Sequence, residues 1–338
     1  MKAFQITQFG LEHFQPVELA KPAPGADEVL IRVRAVSLNY RDLMMVLGHY
    51  DPNLHFPRIP LSDGAGDVVA VGAGVTRFHV GDRVVGLFLQ NWRDGGPSAE
   101  KSRGALGGDV DGMFAKYVAL PESGVVHFPA HLSYEEASTL PCAGLTAWHA
   151  LYEAARVKPG DTVVIQGTGG VSIFALQFAR LAGARVLGTS SSDEKLARAK
   201  ELGLDQGLNY KQNPQWAAWV KEQTGGAGAD TIVEVGGAGT FGESMQAVRV
   251  GGTIAQIGVL SGAEEKLSVV PILRRQIRIA GIFVGSRAMM QDMNRAIGIH
   301  QLRPVVDKVF PFQEAVAAYR YMENRQHFGK VVVAVSGK

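Results

Sequence analysis

The segment DTVVIQGTGGVSIFALQFARLAGARVLGTSSS, residues 161–192, holds the densest chemical signal in the chain. It reads as a buried strand, a glycine turn, an amphipathic helix and a second strand. Such a turn offers free backbone N–H groups and the partial positive charge of a helix N-terminus, which suits a pyrophosphate. Gly167 can turn tightly and Gly169 lets the backbone approach a phosphate, with Thr168, Gly170 and Val171 completing the cradle. Ser172 stands where the usual pattern has its third glycine, a small residue compatible with close helix-to-strand packing. A glycine cluster alone is an ordinary turn; the strand before it and the helix after it make dinucleotide binding the stronger reading.

Which dinucleotide is read from the end of the second strand, about 20 residues on, where an acidic residue would bind the ribose 2′-hydroxyl of NAD. Gly188, Thr189, Ser190, Ser191 and Ser192 occupy that stretch. No carboxylate there opposes a 2′-phosphate, and the hydroxyls with Lys195 can supply hydrogen bonds and charge. NADPH is the expected cofactor. Asp193, Glu194 and Lys195 also read as an ordinary helix start capped by Ser192 or Asp193, and both readings can hold together.

The elements that position this turn follow from spacing. Residues 1 to about 126 carry short apolar runs, among them DEVLIRVRAVSL, GAGDVVAVG and AKYVALP, separated by Gly and Pro; they predict a mostly antiparallel β domain. From Tyr134 helices alternate with apolar strands, the signature of a parallel sheet with helical crossovers. After Ser286 the period changes again, and a final strand, KVVVAV, predicts a tail that returns to the first domain. The expected domains are therefore 1–126 with 287–338, and 127–286. Residues 89–108, rich in Gly, Ser and charge, read as a surface loop.

Composition narrows the class. The 338 residues suit two domains, and 34 basic against 32 acidic residues give a formal charge of +2 without any basic stripe, so nucleic acid is not an expected partner. No run approaches the roughly 18 apolar residues of a membrane span, and MKAFQITQFG lacks an apolar signal region; a cytoplasmic protein without a membrane partner is expected. The one cysteine, Cys142, excludes an intrachain disulfide and any zinc site built from several thiolates.

The stretches SLNYRDL, IPLSDGAGDVVAVGAGV, FHVGDRV, DGMFAKYV, LPCAGLTAW and QGTGGVS together resemble the medium-chain dehydrogenase/reductase superfamily over essentially the whole chain. The resemblance implies an α/β architecture: a GroES-like β-rich catalytic domain joined to a Rossmann domain with a doubly wound parallel sheet, and an active site between them. It also implies homodimers joined through Rossmann sheet edges, a role for which the apolar run IRIAGIFV is suited. In zinc-dependent members three ligands hold a catalytic metal; aligning their motifs places Asn39, Ser62 and Cys142 at those positions. An amide and a hydroxyl are poor zinc donors, and residues 89–108 contain no cysteine for a structural zinc. No metal is expected.

Within the superfamily the chain resembles zinc-free quinone oxidoreductases and related enone reductases more closely than zinc-dependent members, sharing Asn39 followed by Asp42 and a stretch like GHYDP. That comparison places Tyr50 toward the substrate and Lys195 and Tyr210 at a 2′-phosphate, with Ser191 as a backbone contact. It places Gly236, Gly258, Val284, Gly329 and Lys330 near the nicotinamide. Without zinc as Lewis acid, a quinone or an enone is the expected acceptor, because conjugation already spreads the negative charge. Asn39 and Tyr50 are the candidate hydrogen-bond donors to the acceptor oxygen. His49 reads as a solvent-facing loop residue, Cys142 as a buried thiol, and Asp42 and Asp63 as turn or network carboxylates. The competing expectations are an alcohol dehydrogenase-like enzyme acting on simple aldehydes, and an NADPH-binding sensor without turnover.

Overall fold

A computed structural model of the chain describes residues 1–335, which divide into two units: Met1–Leu145 with the segment from Val284 onward, and Thr146–Phe283. The first unit opens on a hairpin of β1 (Lys2–Ile6) and β2 (Phe14–Glu18). Then come β3 (Glu28–Leu38), α1 (Tyr40–Val46), β4 (Asp63–Val71), β5 (Arg83–Gly86), β6 (Tyr117–Pro121), β7 (Val125–His127) and α2 (Tyr134–Ala137). In β3 the alternating Val29, Ile31 and Val33 are fully buried, as period-two patterning requires of a strand with one face on a core. The expected boundary at residue 126 falls too early: α2 packs on β3 and β4, so the chain leaves this unit only after Leu145.

The second unit begins within the short α3 (Leu145–Trp148), continues in a π-helical turn, His149–Ala154, and then alternates strand and helix. The order is β8 (Thr162–Gln166), α4 (Gly170–Leu181), β9 (Arg185–Ser190), α5 (Asp193–Glu201), β10 (Gln206–Asn209), α6 (Trp216–Gln223), β11 (Ala229–Glu234), α7 (Ala238–Ala247), β12 (Val248–Gln256), α8 (Val270–Arg275) and β13 (Arg278–Gly281). All six strands are parallel, in the order β10-β9-β8-β11-β12-β13. Counted from β8 this is 3-2-1-4-5-6, the doubly wound order whose switch point lies between the first and fourth strands. The carboxyl ends of β8 and β11, where Gly167 and Gly236 follow, flank that point.

The tail returns to the first unit through α9 (Arg287–His300), β14 (Val306–Pro311), α10 (Ala315–Glu323) and β15 (Lys330–Ala334). There β15 pairs antiparallel with β3, in a sheet ordered β14-β15-β3-β4-β5-β7 with β6 also on β3. Phe4, Phe14, Phe114 and Phe312 pack as one aromatic group with centroids 4.7–5.8 Å apart for most pairs, filling the core between the hairpin, the sheet and the tail. Residues 89–108 contain no helix or strand, as expected, but only their middle is a surface loop. Trp92, Leu89, Ala105 and Leu106 are buried, and Leu89 bridges Ala105.

Candidate functional site

In the second unit the glycine turn joins β8 to α4. Gly167 has φ +69°, the left-handed region that favours glycine, and its N–H donates to Thr189 O at 2.7 Å. Gly169, the N-cap of α4, has an ordinary φ of −78°, and no side chain caps the helix. A Cβ on either glycine would meet nothing within 4 Å. The protein's own packing therefore does not require glycine at 169, whereas an open cradle beside uncapped N–H groups fits a pyrophosphate. Thr168 is buried, and Gly170 and Val171 open the helix. Ser172 carries out the packing expected of a third glycine: it is buried, and its Oγ donates to Gln166 O at 2.7 Å, fastening the helix to the strand.

Gly236 and Gly258 differ from Gly169. A Cβ on Gly236 would run into Thr240 Oγ1, and one on Gly258 into the Val235 carbonyl, so both glycines are demanded by internal packing. Between these strand ends lies a group that motif reading missed. The fully buried Glu234 carboxylate accepts from Gly236 N at 2.8 Å, Gly237 N at 3.0 Å, Thr240 Oγ1 at 2.6 Å, Gln166 Nε2 at 2.7 Å and Ser244 Oγ. Five donors satisfy a charge that would otherwise be costly to bury. The network ties the end of β8, one residue before the glycine turn, to the end of β11. A lone Glu closing an apolar strand carries no spacing signature, so only the fold reveals it.

At the end of β9, Ser190 is buried and its Oγ accepts from Ser192 N at 3.3 Å, while Ser190 O accepts from Tyr210 N at 3.0 Å. Ser192 caps α5, accepting from Lys195 N at 3.3 Å. Ser191, half-buried Lys195 and exposed Tyr210 thus border one turn. Asp193, the first carboxylate after the strand, is held by Asn209 Nδ2 at 3.0 Å and Gln212 Nε2 at 2.9 Å.

The first unit brings Asn39, Ser62 and Cys142 into one polar cluster. Asn39 is the N-cap of α1, and its backbone N–H donates to Asp42 Oδ2 at 2.8 Å. Its side-chain Oδ1 accepts from Lys330 Nζ at 2.5 Å, while Nδ2 is buried without a hydrogen-bond partner. Lys330 also donates to Leu38 O at 2.7 Å. Asp63 accepts from Ser62 Oγ at 2.8 Å and from the Cys142 backbone N–H at 3.2 Å. Leu61, immediately before Ser62, is fully buried at φ +66°, a strained conformation for a branched residue and a local constraint on where Ser62 and Asp63 point.

Burial dominates the electrostatics here. It pushes Asp63 up to about 6, with Lys330 opposing, Asp42 adding, and Asn39 and Ser62 opposing. It lowers Lys330 against the pull of Asp63, Cys142 and Asp42, and raises the Cys142 thiol, with Asp63 adding to the effect. Arg41, buried, donates to Asp42 Oδ1 at 3.1 Å and Leu106 O at 2.9 Å and lies 5.2 Å from the Tyr50 ring centroid. Tyr50 is 41% exposed; burial of the remainder raises its phenol, with Arg41 opposing. His49 is exposed, as expected.

Zinc does not suit this donor set. The amide oxygen is held by an ammonium, the Ser62 hydroxyl by Asp63, and the thiol is raised rather than poised as thiolate. Among the described residues no group of three His, Cys, Asp or Glu side chains is placed to hold a metal. Lys330 lies in this cluster, with Gly329 just before it in the same unit, and Val284, buried at φ +53°, opens the returning segment; the remaining expected cofactor residues belong to the second unit.

The raised Asp63 has a measurable consequence. Its folded-state value exceeds the ordinary 3.8, so its contribution to stability is fully present below about pH 4 and is lost as pH rises through about 6. Over about two pH units this amounts to roughly 3 kcal/mol. Urea unfolding across that window should show wild type losing stability relative to Asp63→Asn by about this amount; parallel curves would refute the assignment.

Comparison with known proteins agrees with this architecture. Residues 25–130 match the alcohol dehydrogenase GroES-like domain, and residues 170–298 match the zinc-binding dehydrogenase family. A zinc-type alcohol dehydrogenase-like protein of Schizosaccharomyces pombe is 46% identical over 335 residues, covering 96% of each chain. An acryloyl-coenzyme A reductase of Metallosphaera sedula is 29% identical, covering 94% of this chain and 95% of that one. Among solved structures, a protein of Sinorhizobium meliloti 1021 provisionally described as an alcohol dehydrogenase superposes with TM-score 0.92 at 42% identity, covering 98% of each chain. An NAD-dependent alcohol dehydrogenase gives 0.91 at 37%, covering 99% and 100%, and the quinone oxidoreductase of Coxiella burnetii gives 0.81 at 26%, covering 99% of each. The chain belongs to the medium-chain dehydrogenase/reductase superfamily. It is an oxidoreductase of that superfamily, whose members use a nicotinamide cofactor.

Proposed function

We propose that the protein is a zinc-independent, NADPH-dependent oxidoreductase that delivers hydride to a quinone or an enone. The observation that carries the reading is Asn39: at a position where zinc members have a metal ligand, it holds an amide whose buried Nδ2 makes no hydrogen bond of good geometry and lies near enough to the Asp63 carboxylate to favour its charge. When bound, the nicotinamide supplies the hydride. Addition of hydride to a conjugated acceptor moves negative charge onto its oxygen, and a donor fixed in a desolvated site stabilises that charge more than water does. Asn39 Nδ2 is the first such donor and the Tyr50 hydroxyl the second; the raised phenol keeps its proton at neutral pH.

The cofactor half of the proposal rests on Ser190, Ser191, Lys195 and Tyr210, which border one turn while Asp193 is engaged by two amides. A 37% identical structure is of an NAD-dependent enzyme, so this half needs its own test. Initial rates with each cofactor should show a lower KM for NADPH than for NADH, and Lys195→Ala should erase most of the difference. A preference for NADH that survives Lys195→Ala would overturn it. The alcohol dehydrogenase names of several relatives favour a second reading, turnover of simple aldehydes.

We also propose a homodimer. The strand of IRIAGIFV is β13, at the edge of its sheet, with Ile279 and Phe283 exposed. A second copy pairing there would cover an apolar edge.

A further inference from the structure

We propose that Lys330 is a positioning residue that acts through Asn39, holding the amide oxygen so that Nδ2 is locked, and polarised, toward the acceptor's oxygen. This rests on the reading of Asn39 as donor to a conjugated acceptor. The sheet brings the pair together: β15 runs antiparallel to β3 with Val331 opposite Leu38, so Lys330 stands opposite Asn39 across 291 residues of sequence. Neighbouring positions of this kind put side chains on one face within reach.

Three physical consequences follow from the 2.5 Å contact. An asparagine amide can flip by half a turn, presenting either oxygen or NH₂ to a ligand. Flipped here, NH₂ would face the Lys330 ammonium, donor against donor, so the oxygen stays on the lysine and Nδ2 stays on the opposite edge of the amide. An ammonium on the carbonyl oxygen also draws electron density from the amide nitrogen, and hydrogen bonds linked in this way strengthen one another. Finally, Lys330 has little freedom to move: its side chain is buried, and a second donor is fixed on Leu38 O at 2.7 Å. The nearby Asp63 and Asp42 carboxylates offset the cost of placing a cation there.

The resemblance to related reductases places Lys330 at the cofactor instead, and the two roles separate in kinetics. Lys330→Met keeps the apolar stem and removes the donor. It should lower kcat by about 10- to 100-fold, less than the roughly 100-fold or more of losing a direct donor. The loss should grow as the acceptor's own electrophilicity falls across a series of enones, with NADPH Kd, read by fluorescence titration, within about twofold of wild type. Combining Lys330→Met with Asn39→Ala should cost little more than Asn39→Ala alone, as expected for residues acting as one unit. Should Lys330→Met fail to fold, Lys330→Gln carries the same series, retaining a neutral donor and a smaller loss. Equal losses for all acceptors, additive effects in the double variant, or a loss confined to NADPH affinity would each overturn the proposal. A wild-type enzyme that reduces no enone or quinone would overturn the underlying functional reading, a result separable from all three.

Discussion

Replacing Asn39 by alanine is expected to lower kcat/KM for an enone or quinone by about 100- to 1,000-fold, the range for loss of one donor to a developing oxyanion. NADPH affinity should change little, because the residues expected to hold the dinucleotide's phosphates lie in the other unit. The fold should survive. Two bonds at the start of α1, from Asn39 N to Asp42 Oδ2 and from Asp42 N to Asn39 O, do not depend on the Asn39 side chain. The cost to stability is that of leaving Lys330 one acceptor short, about 1–3 kcal/mol. Asn39→Asp sharpens the test. It keeps an oxygen for Lys330 and replaces Nδ2 by a second acceptor, so it should be at least as inactive as Asn39→Ala. Steady-state kinetics on both variants decides the matter; wild-type turnover in either would remove the amide from the mechanism.

Gly169→Val is expected to abolish measurable NADPH binding, a loss of more than about 100-fold, while hardly altering thermal stability. The contrast follows from geometry. The residue has φ −78° and ψ −178°, which valine adopts readily, and its Cβ would meet nothing within 4 Å. Only a ligand seated at the helix N-terminus would compete for that volume. At the N-cap, valine in place of glycine costs on the order of 1 kcal/mol or less. Fluorescence or calorimetric titration beside a melting curve separates the effects. Retained affinity would mean that phosphates bind elsewhere; a collapsed melting temperature would mean that glycine is needed by the chain itself, as at Gly236 and Gly258.

Local pattern made the glycine turn and the alternation of strand and helix legible in the sequence, because each depends on neighbours within about 30 residues, and the change of period after Ser286 marked the returning tail. The weakness of the Asn39, Ser62 and Cys142 set as metal donors was legible once their motifs were aligned, since donor chemistry belongs to residue type. Features created by register between distant strands were not legible. Lys330 was expected near the nicotinamide, and nothing in KVVVAV announces that its first residue stands opposite Asn39. Glu234 was invisible for a similar reason: its five donors come from β8, from α7 and from the turn between β11 and α7. The first domain boundary was placed too early because α2 is only four residues long, and only its packing on β3 and β4 assigns it to the first unit. Residues 89–108 read as a loop from composition, which does not disclose that Trp92 is buried.

The most direct test of the account is the initial rate of NADPH oxidation by the purified protein against quinones, enones and simple aldehydes, each with and without a metal chelator. The donor set around Asn39, Asp63 and Lys330 predicts turnover of the conjugated acceptors that the chelator leaves unchanged, with simple aldehydes far slower. Turnover confined to aldehydes or alcohols, abolished by the chelator and restored by zinc, would contradict it.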